Sequence, residues 1–101
     1  MASTPDWDVA VGLAIAVLRR KLRLTQEGLA AAAYIHRNYL ADVERGKKSV
    51  TVGVLYGLAV GLNTTPDKVL KLALSYFGDS AKFEAALASL PPARPGRPPK
   101  A

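Results

Sequence analysis

The stretch Leu24-Thr25-Gln26-Glu27-Gly28-Leu29-Ala30, followed by Tyr34-Ile35-His36-Arg37-Asn38-Tyr39-Leu40-Ala41-Asp42-Val43-Glu44-Arg45-Gly46-Lys47, decides how the chain folds. Thr25 can accept from amides of the following turn, so a helix is expected from Gln26 to about Ala33, with Leu29, Ala30 and Ala33 inward. A second helix, about Arg37 to Arg45, turns Leu40 and Val43 inward and stops at Gly46, which enters the left-handed cap without steric penalty. Only a few residues separate the two. With Leu40 and Val43 committed to a core, the outward row of the second helix is Arg37, Asn38, Ala41, Asp42 and Arg45.

Outward from this pair the chain keeps helical spacing. Trp7, Val11, Ile15, Leu18 and Leu22 make one stripe, opened by Thr4 and Pro5 and ending near Leu22 or Arg23. Thr51 caps a fourth helix, about Val52 to Leu62, with Leu55, Leu58, Ala59 and Leu62 on one face. The alternation of Val50, Val52 and Val54 also fits a short strand, but the three-and-four spacing that follows favours helix. Thr65 and Pro66 open a fifth helix carrying Val69, Leu70 and Leu74. Gly78 breaks it, and Ser80 caps a sixth segment with Phe83, Leu87 and Leu90 inward. The expected fold is all-α: a five-helix domain over 1–78, an additional C-terminal helix over 79–90, and a disordered basic tail over 91–101. That tail holds five of the seven prolines, three cations and no anion.

Composition narrows the function. A chain of 101 residues supports one small domain and excludes large multi-step enzymes. Fourteen Lys and Arg against eight Asp and Glu leave a net charge of +6, and its two concentrations, residues 19–23 and the tail, point at a partner more informatively than the total does. Without cysteine there is no disulfide framework, thiolate metal site or cysteine nucleophile, and a reducing cytoplasm is the default. A single His, with no Ser/His/Asp or paired-carboxylate arrangement, gives no basis for an enzyme, a metal site or a cofactor. The longest apolar run, Val9 to Leu18, contains Gly12 and is far below the roughly 20 residues a membrane span needs. Asp6 and Asp8 precede it and Arg19, Arg20, Lys21 and Arg23 follow, the reverse of a secretory signal, so it is expected to belong to the fold.

Two short helices joined by a tight turn and packed on others are the parts of a helix-turn-helix reader. The segments Leu24-Thr25-Gln26, Leu29-Ala30 and Glu44-Arg45-Gly46-Lys47 stand nineteen residues apart from Thr25 to Glu44, with Ile35, Leu40, Val43, Leu55, Leu58, Ala59 and Leu62 around them. Together they resemble the lambda-repressor-like (Cro and Xre-type) helix-turn-helix family over about residues 9 to 72. The resemblance implies that the second helix of the pair lies in the major groove of double-stranded DNA. Arg37 and Asn38 then sit where the family places base-reading side chains. Their chemistry suits guanine O6/N7 and adenine N6/N7 respectively, and Ala41 and Asp42 complete the row. Asp42 can accept from cytosine N4 or pair internally with Arg45 or Arg37. Gln26 matches the family's phosphate-holding glutamine. Arg45, Lys47 and Lys48 are further phosphate candidates, with His36 and Tyr39 beside them. Glu44 is expected to pair with Arg19 of the first helix, as the family's acid does.

Three departures bear on the turn. Tyr34 stands where the family often has Gly, and a bulky residue in the left-handed region costs about 1 to 2 kcal/mol. Either the turn differs, or Tyr34 is compensated by packing or by touching a phosphate. His36 replaces the usual small cap, and Gly28 weakens its helix by roughly 0.5 to 1 kcal/mol relative to Ala.

Pro95-Gly96-Arg97-Pro98-Pro99-Lys100 resembles an AT-hook core, which implies that Arg94, Arg97 and Lys100 reach a narrow minor groove. A flexible end adding only nonspecific attraction is the favoured reading. Family members usually work as two-fold dimers on half-sites about 34 Å apart. The surplus apolar residues Val69, Leu72, Tyr76, Phe83, Leu87 and Leu90 place a homodimer contact on helices five and six. The function expected is a sequence-specific transcriptional regulator on a palindromic operator, in a bacterial cytoplasm and nucleoid-associated. RNA polymerase or a partner protein is a further candidate partner, and no membrane is involved. The alternative is an antitoxin-like DNA-binding module that also holds a partner protein.

Overall fold

A computed structural model describes residues 3–77 and 79–89. They form α1 (Ser3–Lys21), α2 (Gln26–Ala32), α3 (Arg37–Glu44), α4 (Val52–Gly61), α5 (Pro66–Tyr76) and α6 (Ser80–Ala88), with no strand among the described residues. The Thr25 and Thr51 hydroxyls accept from the Gly28 and Val54 amides at 2.9 and 3.1 Å, so both expected caps are present. The Thr51 cap also resolves Val52–Val54 as helix. Asp79, rather than Ser80, caps α6, accepting from the Lys82 amide at 3.0 Å. A carboxylate one residue earlier takes the place of the hydroxyl.

Four helices stop by one device. Arg23, Tyr34 and Asn63 have φ near 59°, and Gly46 has φ 77°; each lies two residues past the end of α1, α2, α4 or α3. Behind each residue two backbone bonds close the last turn: Leu24 N to Arg19 O and Arg23 N to Arg20 O after α1, Lys47 N to Asp42 O and Gly46 N to Val43 O after α3. The same pairs recur at Ile35/Tyr34 and Thr64/Asn63. These are Schellman caps. Leu24 and Ile35, the residues that follow, are drawn half-buried against the core.

The core gathers around α1, which packs on α3 and α5, while α2 packs on α3 and α4. Ile15, Leu29, Leu40, Val43, Leu58 and Val69 are fully buried. Gly12 is required rather than tolerated: a methyl group there would overlap the Val43 carbonyl oxygen, so the α1 and α3 backbones all but touch. Trp7 meets Phe77 edge to face at 5.3 Å, fastening the start of α1 to the end of α5. Burial pushes the Tyr76 phenol above its ordinary pKa and keeps it neutral.

Several expected positions move. α1 begins at Ser3, which puts Thr4 and Pro5 inside its first turn, and ends at Lys21, leaving Leu22 exposed. On α5 the buried face is Val69, Ala73 and Tyr76, at i, i+4 and i+7. Leu70 and Leu74 lie one residue, about 100°, around the helix from that face and are exposed. Phe83 is half-buried against the core, whereas Leu87 is exposed. Leu90 and the basic tail, including Arg94, Arg97 and Lys100, lie outside the described residues.

Candidate nucleic-acid interface

The turn before α3 adopts the left-handed geometry at Tyr34, and the ring is 95% exposed, so packing does not compensate it. Ile35 tucks against the core. His36 then occupies the cap position in extended backbone, with no side-chain cap bond. Arg37 and Asn38 open the helix in solvent, joined by a 3.1 Å bond from Arg37 Nη1 to Asn38 Oδ1.

Ala41 is buried, not outward. α3 lies between α1 and α2, so its covered arc is wider than the two residues Leu40 and Val43 would suggest. The outer row therefore narrows to Arg37, Asn38, Asp42 and Arg45, and Ala41 leaves the base-facing set. Asp42 takes the internal pairing foreseen as its second option. Arg45 Nη2 lies 2.7 Å from its Oδ1, and Lys48 Nζ 3.9 Å from its Oδ2. Lys47 and Lys48 are exposed just past Gly46.

Tyr39 is committed elsewhere: its hydroxyl donates to the Ser49 carbonyl at 2.9 Å, leaving only an acceptor, which a phosphate cannot use. Ser49 in turn donates to Asp8 Oδ2 at 2.7 Å, tying the α3–α4 link to α1. Asp8 entered the sequence reading only through the order of charges, and no local pattern marks Ser49.

Behind the outer row lies the pair that sets the pose of α3. Arg19 grips Glu44 with two bonds, Nε to Oε2 at 2.7 Å and Nη2 to Oε1 at 3.0 Å, and both side chains are 5% exposed. Arg19 Nη1 also donates to the Leu24 carbonyl at 2.8 Å. Gln26 Nε2 adds a third donor to the carboxylate, 2.9 Å from Oε1. The amide read as a phosphate holder thus also ties the start of α2 to the end of α3. With three charge-assisted or polar donors on Glu44, α1, α2 and α3 are locked together, and the orientation of the exposed row is fixed.

No cluster of three or more His, Cys, Asp or Glu fit for a metal exists among the described residues. No described helix is long and apolar enough to cross a membrane.

An exposed polar row on the second of two tightly linked helices, held from behind by a buried ion pair, defines a helix-turn-helix domain. A helix-turn-helix family model matches residues 15–69, more than half of the chain, and the chain belongs to this Cro/C1-type family of DNA-binding transcriptional regulators, which are not enzymes.

Among its relatives, control protein C.SmaI of Serratia marcescens is 45% identical over 47 residues, 46% of this chain and 56% of that protein. The chain therefore spans little more than half the length of that relative. The uncharacterized HTH-type transcriptional regulator y4dJ of Sinorhizobium fredii is 42% identical over 60 residues, 59% of this chain and 78% of y4dJ. Among solved structures, the clp gene regulator ClgR of Corynebacterium glutamicum superimposes with a TM-score of 0.72 at 27% identity, covering 83% of this chain and 89% of ClgR. The restriction-modification controller protein C.AhdI of Aeromonas hydrophila gives 0.60 at 32%, covering 61% and 94%.

Proposed function

We propose that the chain is a sequence-specific regulator that binds a palindromic operator as a homodimer, reading bases with Arg37 and Asn38 from the major groove. One observation carries this reading. The start of α3 presents a guanidinium and a carboxamide to solvent, while its other face is immobilised by Leu40, Val43 and the Arg19–Glu44 pair. Base discrimination needs donors and acceptors on a rigid element, and these two side-chain types match the major-groove edges of guanine and adenine. Lys47, Lys48, Arg45 and His36 flank the row and serve the backbone. Gln26, oriented by Glu44, retains a second amide hydrogen for a phosphate. The similarity to the controller protein C.AhdI and the control protein C.SmaI supports a regulator that acts on transcription in the bacterial cytoplasm.

A domain of this size spans only a few base pairs, which is why two copies are needed. Of the residues the sequence offered for joining them, Val69 and Tyr76 are buried within the chain, and Leu72 and Phe83 are half-buried. The apolar surface left on α5 and α6 is Leu70, Leu74 and Leu87.

Selection of bound fragments from a random duplex pool, with footprinting of the winner, tests the reading. A palindromic consensus protected as two half-sites is expected. Failure to enrich any sequence would refute base readout. On the selected site, Arg37→Ala is expected to cost about 1 to 3 kcal/mol and to relax one base position. Equal losses on the selected and a random duplex would remove Arg37 from the reading set.

A further inference from the structure

The row that the DNA reading turns toward the duplex holds one anion among its cations. Asp42 presents one carboxylate oxygen to Arg45 at 2.7 Å and the other to Lys48 at 3.9 Å; its side chain is 29% exposed, those of the cations 58% and 56%. A carboxylate with one cation at each oxygen occupies the place a backbone phosphate would take between the same guanidinium and ammonium. The trio carries a net charge of +1, whereas the two cations alone would carry +2.

We propose that Asp42 is a built-in counterion that competes with the DNA backbone for Arg45 and Lys48, limiting sequence-independent binding. The share of affinity that depends on Arg37 and Asn38 is correspondingly larger. This rests on the DNA-interface reading above. Both pairs are solvent-exposed, so phosphate can displace the carboxylate, and Asp42 acts as a brake rather than a lock.

The effect works through two named cations, which separates it from general repulsion between an acid and DNA. Binding to a random-sequence duplex would be measured by fluorescence anisotropy between 50 and 200 mM salt for four full-length proteins, with helical content by circular dichroism as the folding check. These are the unaltered chain, Asp42→Asn, the double variant Arg45→Ala/Lys48→Ala, and the triple variant. Asp42→Asn is expected to tighten random-duplex binding roughly three- to tenfold and to steepen the slope of log K against log salt by about one, because one further phosphate is neutralised. In the double-variant background the same substitution is expected to change affinity less than about twofold and to leave the slope unaltered.

An unchanged affinity and slope for Asp42→Asn would overturn the inference while leaving the DNA reading intact, provided the unaltered chain binds. A gain of equal size in the double-variant background would also overturn it, by assigning the effect to bulk repulsion. Absence of any salt-dependent duplex binding by the unaltered chain would sink both the inference and the reading beneath it.

Discussion

Two arginine–carboxylate pairs flank α3, and each has a shortest contact of 2.7 Å. Arg19–Glu44 lies on the inner side with both partners 5% exposed, whereas Asp42–Arg45 lies on the outer side at 29% and 58%. Equal distance therefore hides unequal roles. In the buried pair neither charge can recover water if its partner is lost. In the exposed pair both can, and the interaction is worth little to stability. The inner pair makes α3 a fixed part of the domain, and the outer one leaves its surface adjustable.

The largest effect is expected at Glu44. Glu44→Ala leaves the Arg19 guanidinium, 5% exposed, with no anion and only the Leu24 carbonyl as partner, and is expected to cost about 3 to 5 kcal/mol in urea unfolding. A loss under about 1 kcal/mol would mean the inner pair is no more structural than the outer one. Gly12→Ala belongs to the same interior. The added methyl overlaps the Val43 carbonyl, which no side-chain rotation relieves, so a loss of about 1 to 3 kcal/mol is expected, read as a fall in thermal midpoint. Unchanged stability would show that α1 and α3 have room to part.

That close approach marks what the sequence could and could not convey. Caps at Thr25 and Thr51 follow from local chemistry and are found where expected. Arg19–Glu44 was legible only through the family resemblance, since the partners stand 25 residues apart and nothing local joins them. Gly12 was noted only as a member of an apolar run because the reason for it lies on another helix. Ala41 was misassigned because helical spacing gives the centre of a buried face but not its width, which two neighbours set jointly. On α5 the sequence named Leu70 and Leu74 beside Val69, whereas the small Ala73 is the residue that fits against the core. The Schellman caps at Arg23 and Asn63 were missed because neither residue is glycine.

Tyr34, in the turn that leads into α3, is expected to have a smaller effect of opposite sign. It has positive φ, no packing and 95% exposure, so Tyr34→Gly is expected to raise stability by roughly 0.5 to 1 kcal/mol: relief of left-handed strain outweighs the extra freedom of the unfolded chain. A loss in thermal denaturation would show that the ring contributes more to folding than its exposure indicates.

The smallest effect is expected where the outer pair is removed. Asp42→Asn abolishes the charge that meets Arg45 at 2.7 Å and Lys48 at 3.9 Å, yet unfolding free energy should shift by no more than about 0.5 kcal/mol. Arg45 and Lys48 already face water and regain hydration when released, and asparagine keeps the shape of the side chain it replaces. The i, i+3 spacing of Asp42 and Arg45 is that of an ordinary helix-surface pair, which contributes only a few tenths of a kcal/mol. A destabilisation near that of Glu44→Ala would erase the distinction between the two sides of α3. A near-zero value beside a several-kcal/mol loss at Glu44 would assign the difference to burial, since the separations match.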